Sequence, residues 1–123
     1  MIITGALLAE QALATESGLH LWNGVISGAL VGPDRISRLF LVVLTQAETD
    51  NSDRTVEIEM RPPTGEEPRV HRFDVPVETA NSEIGFAYWP FEFHLPFDGR
   101  WILMVSAGGA SAVALPLQVA SAT

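Results

Sequence analysis

The sequence predicts an all-β domain: a single two-sheet antiparallel sandwich of about eight strands, immunoglobulin-like or C2-like in architecture. Two observations carry this expectation. Short apolar segments recur between Gly, Pro and Asp turn signals roughly every ten residues, and helical periodicity is nearly absent. With 123 residues and no linker-like stretch, residues 1–123 form one domain, large enough to bury a core without a covalent staple.

The elements follow in order. Ile2–Ala9 is an apolar strand, and Glu10–Ser17 is the one stretch whose Ala- and Glu-rich composition allows a helical turn. A basic n-region is missing before it, since the first basic residue is Arg35, so the segment does not read as a secretory signal. Leu19–Trp22 restarts a strand, Gly24 and Gly28 bracket Val25-Ile26, and Gly32-Pro33-Asp34 is a turn. Arg38–Thr45 is the most continuously apolar segment and reads as a central strand.

Beyond the acidic loop Glu48–Arg54, Val56, Ile58 and Met60 alternate with Glu57, Glu59 and Arg61, as expected for a strand with one wet face. Pro62–Pro68 then joins two hairpin strands. The partner strand places Phe73, Val75 and Val77 on one parity.

In Phe86–Phe97 the odd positions Ala87, Trp89, Phe91, Phe93, Leu95 and Phe97 form the core face. Phe86, Tyr88 and Pro90 fall on the outer face. Pro90 and Pro96 confine this segment to an edge or an irregular strand. Asp98-Gly99 has the composition of a hairpin turn. Trp101, Leu103 and Val105 begin a second central strand, Gly108-Gly109 is a tight turn, and Val113, Leu115, Leu117 and Val119 face inward in the last strand. Phe93 and Trp101 are expected core residues, and Pro76, Pro90 and Pro116 are expected to blunt sheet edges.

Charge and composition exclude several functions. Seven basic residues, all arginine, stand against fifteen acidic ones, for a net charge of -8. That balance opposes binding to phosphate backbones and to anionic lipid, so neither nucleic acid nor membrane is an expected partner. The absence of cysteine removes disulfides and thiolate chemistry and agrees with a cytoplasmic location. No apolar run approaches the ~20 residues of a membrane span.

The run Gly5–Glu10 leading to Gly18–Gly24, then Pro63-Thr64-Gly65, Phe97–Trp101 and Leu115–Val119, resembles a family of small bacterial and phage β-sandwich proteins whose function is uncharacterised. The resemblance covers most of the chain and departs from the family at His20 and Trp22. It implies the sandwich architecture and brings no active-site residue.

Candidate chemistry is sparse. His20, His71 and His94 lie on different expected strands without metal-ligand spacing. Ser106 is the one serine beside a glycine turn; with His20 and Asp98 it is all an enzyme reading can nominate, and no residue is assigned as catalytic. Asp50-Asn51-Ser52-Asp53, with Asp34, Glu48 or Asp98, offers carboxylates for calcium but lacks the spacing of a helix-loop-helix site. Phosphate cradles are absent. No cofactor and no metal are expected.

What remains is a non-enzymatic protein-interaction or structural module that binds itself or another chain. Phe86, Tyr88 and Pro90 are its possible interaction patch, and Trp22 is a further exposed aromatic. The alternative is a ligand-binding sandwich, taking calcium at the acidic loops or a small molecule between the sheets. An enzyme comes third.

Overall fold

The computed structural model describes residues 1–48, 53–107 and 112–122. It contains nine strands and one helical turn: β1 Ile2–Thr15, β2 Gly18–Gly24, β3 Gly28–Val31, β4 Ile36–Gln46, β5 Thr55–Arg61, β6 Arg69–Asp74, α1 Val77–Ala80, β7 Gly85–His94, β8 Gly99–Ala107 and β9 Val113–Ser121. A four-stranded sheet has the order β2-β1-β4-β7, and a five-stranded sheet has the order β3-β9-β8-β5-β6.

The all-β, two-sheet architecture stands, while two details of the expectation are corrected. The described residues form nine strands rather than about eight, because Gly28–Val31 forms a strand of its own. It pairs with β9 in parallel, so the five-stranded sheet is mixed, and it curls into a half-barrel rather than lying flat. Nothing in the sequence marks a four-residue strand bracketed by glycines.

The core is built from the inward parities of both sheets. Leu39, Leu41 and Val43 of β4 and Phe91 and Phe93 of β7 meet Val56, Ile58 and Met60 of β5, Trp101, Leu103 and Val105 of β8, and Leu117 and Val119 of β9. Phe93 and Trp101 are buried as expected, and the Trp101 indole N–H donates to the Phe97 carbonyl at 2.9 Å. That bond satisfies the one polar group a buried Trp brings with it. β4 and β8 are central strands, and β7 is an edge strand, where the missing N–H of Pro90 is tolerated.

Local propensity is overruled in β1. Glu10–Thr15 is strand, not a helical turn, since Gln11–Thr15 find partners in Gly18–Trp22 of β2. β6 is shorter than expected: Pro76 cannot donate to a ladder, and Val77 enters α1 instead. Asp98-Gly99 is not a hairpin turn, because β7 and β8 belong to different sheets and the segment carries the chain between them. Pro116 sits in β9 short of the stretch that β3 covers, where that strand has a free flank. The Gly108-Gly109 turn lies outside the described residues.

One end of the molecule is fastened by a polar clasp. Arg35, at the entry to β4, donates from Nε to the Leu95 carbonyl at 2.9 Å, from Nη1 to Ser121 Oγ at 2.8 Å and from Nη2 to Asp98 Oδ1 at 2.8 Å. The clasp joins the β7–β8 crossing to the end of β9. The Arg35 hydrogen bond, seconded by Ser121, holds the Asp98 carboxyl below its ordinary value of 3.8. Because folding lowers this pKa, the stabilisation is complete above the unfolded value and is lost as pH falls through the folded one. Asp98→Asn is therefore expected to destabilise at neutral pH, and its deficit relative to wild type should shrink below about pH 4. Urea unfolding of both proteins at pH 7 and pH 3 checks this, and an unchanged deficit would contradict it.

Candidate functional site

The outer face of the four-stranded sheet is largely apolar. Register pairs Leu7 with Val42 and Ala9 with Phe40, while Val42 faces Tyr88 and Phe40 faces Pro90, so these side chains share one face. Val42 and Ala9 are nevertheless fully buried. Beyond Ala9, where its pairing with β4 ends, β1 continues with β2 as a two-stranded arm. The Ala14 backbone N–H donates to Tyr88 Oη at 3.2 Å, which ties this arm to β7.

The expected patch is thereby divided. Phe86 and Tyr88 are half-buried and line a hollow of about 250 Å³ with Pro76 and Thr79. Pro90 is exposed and lines another of about 380 Å³, between Glu10 and Gln11 on one side and Arg38 and Phe40 on the other. The Tyr88 ring also leans on Phe40, with centroids 6.3 Å apart. Tyr88→Phe should remove the hydroxyl that accepts the Ala14 amide, a loss of about 1 kcal/mol. Hydrogen exchange at Ala14 should accelerate several-fold while core amides stay unchanged; equal rates would mean that the hydroxyl does not hold the arm.

The larger exposed apolar surface is elsewhere. Leu13, Leu21, Trp22, Val25 and Leu30 are five of the nine exposed large hydrophobics among the described residues, and all lie within residues 13–30. Gln11 pairs with Trp22 and Leu13 with His20, so Leu13 and Trp22 are diagonal neighbours on one face of the arm. Residues 25–27 then cross to the other sheet, held by Ile26 N–H to the Leu8 carbonyl and by Gln118 N–H to the Ser27 carbonyl, each at 2.8 Å. Val25, 72% exposed, stands on this crossing, and Leu30, 74% exposed, stands on β3. Of this group the sequence singled out Trp22 alone; Leu13 fell in the stretch that allows a helical turn and Val25 in the glycine-bracketed pair.

The remaining candidates do not assemble. His20 Nε2 lies 2.8 Å from Thr15 Oγ1 and 3.2 Å from Ser17 Oγ at the tip of the arm. His71 stands edge-on to Phe91 at 5.1 Å, and Arg69 donates from Nη1 to His94 Nδ1 at 3.1 Å. Ser106 is paired across the five-stranded sheet with Glu57, while Asp98 belongs to the clasp, so the three residues an enzyme reading nominated keep separate company. No group of three or more His, Asp or Glu placed to hold a metal occurs among the described residues. Asp53 Oδ1 accepts the Thr55 N–H at 2.9 Å, which lowers its pKa, and Asp34 Oδ1 accepts the Ile36 N–H. Asp50, Asn51 and Ser52 lie outside the described residues. No described helix is long and apolar enough to cross a membrane.

No family model matches the chain, and no curated protein and no solved structure matches it either.

Proposed function

We propose that this chain is a non-enzymatic protein-interaction module whose binding surface is the β1–β2 arm and the neighbouring β3 edge. One observation carries the reading: five of the nine exposed large apolar side chains among the described residues fall within residues 13–30. Large aromatic and aliphatic groups on a two-stranded element suit side-chain anchoring.

A photo-crosslinking residue placed at Leu13, Trp22 or Leu30, in an extract of the producing cells, is expected to capture protein well above the same probe at Thr64 in the β5–β6 loop. Equal capture at both places would contradict the assignment. A small-ligand reading rests on the hollow of about 380 Å³ beside Phe40 and Pro90, which falls in the size range of ligand pockets. Saturation-transfer NMR with wild type and Phe40→Ala tests it.

A further inference from the structure

We infer that the partner is a second copy of this chain, bound head to tail, with the β2 edge of one molecule adding to the β6 edge of the next. The inference deepens the protein-binding reading and rests on it.

Four strands end the two sheets: β2 and β7 in one, β3 and β6 in the other. An edge strand presents unpaired backbone donors and acceptors, and natural edges are usually blunted by shortness or by proline. β3 has only four residues, and β7 contains Pro90. β2, with seven residues, and β6, with six, are the two long edges without proline. Pro68 and Pro76 flank β6 and limit a ladder there to a length that β2 matches.

The surroundings of the two edges also differ in charge. β2 itself carries no Asp, Glu or Arg, and the charged side chains of its arm, Glu10 on β1 and Glu16 in the β1–β2 turn, are both acidic. β6 carries Arg69 and Arg72 with His71 between them, against Asp74, and all four are exposed. Arg72 reaches Glu57 of its own sheet at 3.5 Å and remains 64% exposed. Apolar groups match as well, since Leu21 and Trp22 on β2 meet an edge that exposes Val70.

Complementarity decides between symmetric and head-to-tail contact. A β2–β2 contact would bring two acidic arms together in a chain already at -8, and a β6–β6 contact would oppose two arginine pairs. Like charges brought face to face oppose association. The β2–β6 contact opposes neither, and because it uses two different surfaces it is heterologous, so it propagates into a ring or an open filament.

Such an interface has a signature in mixing. Sedimentation velocity of the wild type at high micromolar concentration and physiological salt should show species beyond the dimer. Leu21→Ser/Trp22→Ser and Val70→Ser/Arg72→Ser should each sediment as a monomer with a cooperative melting transition retained. Mixed, they share one intact β2 and one intact β6 and should form a capped dimer that goes no further. A monomeric wild type, or continued self-association of either variant, would overturn the inference. The absence of cysteine permits a second measurement that survives poor folding of either double variant. Asn23→Cys mixed with Arg72→Cys should give a disulfide between the two chains in preference to either homodimer, and statistical pairing would count against it. If self-association fails while the probe at Trp22 still captures another protein, the binding reading stands and only the identity of the partner falls.

Discussion

Phe93→Ala is expected to cost about 3–5 kcal/mol, the usual loss for truncating a buried aromatic. Phe93 is wholly buried at the meeting of both sheets and packs on Phe91 with ring centroids 4.2 Å apart. The row continues through Phe91 to Phe73 at 5.7 Å, and Phe73 stacks on Trp89 at 5.2 Å. Aromatic rings thus close the side of the molecule where β6 and β7 meet without a ladder shown between them. Truncation would remove transfer energy and leave a cavity that rigid neighbours cannot collapse into. Urea unfolding measures the loss, with Trp22→Ala as the surface comparison expected within about 0.5 kcal/mol of wild type. A loss below roughly 1 kcal/mol for Phe93→Ala would contradict the phase of β7.

Gly85→Ala should be nearly as damaging although it adds only one methyl group. Gly85 begins β7 opposite Thr45 of β4, and a Cβ there would lie 2.5 Å from Thr45 Oγ1 and 2.7 Å from the Thr79 carbonyl oxygen. Both distances are inside van der Waals contact, and the second atom is backbone, so α1 or β7 must move. Overpacking of this kind typically costs about 1–3 kcal/mol. Adding Thr45→Ala should recover only part of the loss, because the Thr79 carbonyl stays in place. Thr45→Val alone should be neutral or stabilising, since the buried Thr45 hydroxyl has no hydrogen-bond partner among the described residues and an unmet hydroxyl is costly. Denaturant midpoints of the three proteins check the order. Full recovery in Gly85→Ala/Thr45→Ala would show that α1 is not pressed against β7 at this point.

Much of the core was legible because strand parity is a local signal. Val56, Ile58 and Met60, and Trp101, Leu103 and Val105, alternate with period two and are buried as that period requires. Sheet membership was not legible. Asp98-Gly99 has hairpin composition, yet whether a turn returns the chain to the same sheet or carries it to the other depends on contacts such as Arg35 with Asp98 and Leu95, sixty or more residues away in the chain. Glu10–Thr15 shows the same limit, since Ala and Glu favour helix locally and pairing with β2 decides otherwise.

The interaction surface was the least readable part. Leu21 looks in the sequence like any core aliphatic and Leu13 falls in the stretch that allows a helical turn; both lie on the arm that β1 and β2 form beyond Ala9, where pairing with β4 ends without a local mark. Tyr88 was assigned outward by parity correctly. Parity could not show that the Ala14 amide of the arm would occupy its hydroxyl.

Amide hydrogen exchange of the wild type at low and at high concentration tests the central claim most directly, because edge amides that point away from their own sheet exchange freely until another strand covers them. Concentration should slow exchange in Gly18–Gly24 and in Arg69–Asp74 together, leaving β4 and β8 unchanged. Protection confined to the Phe86–Pro90 segment, or no change in β2 as the protein is concentrated, would contradict it.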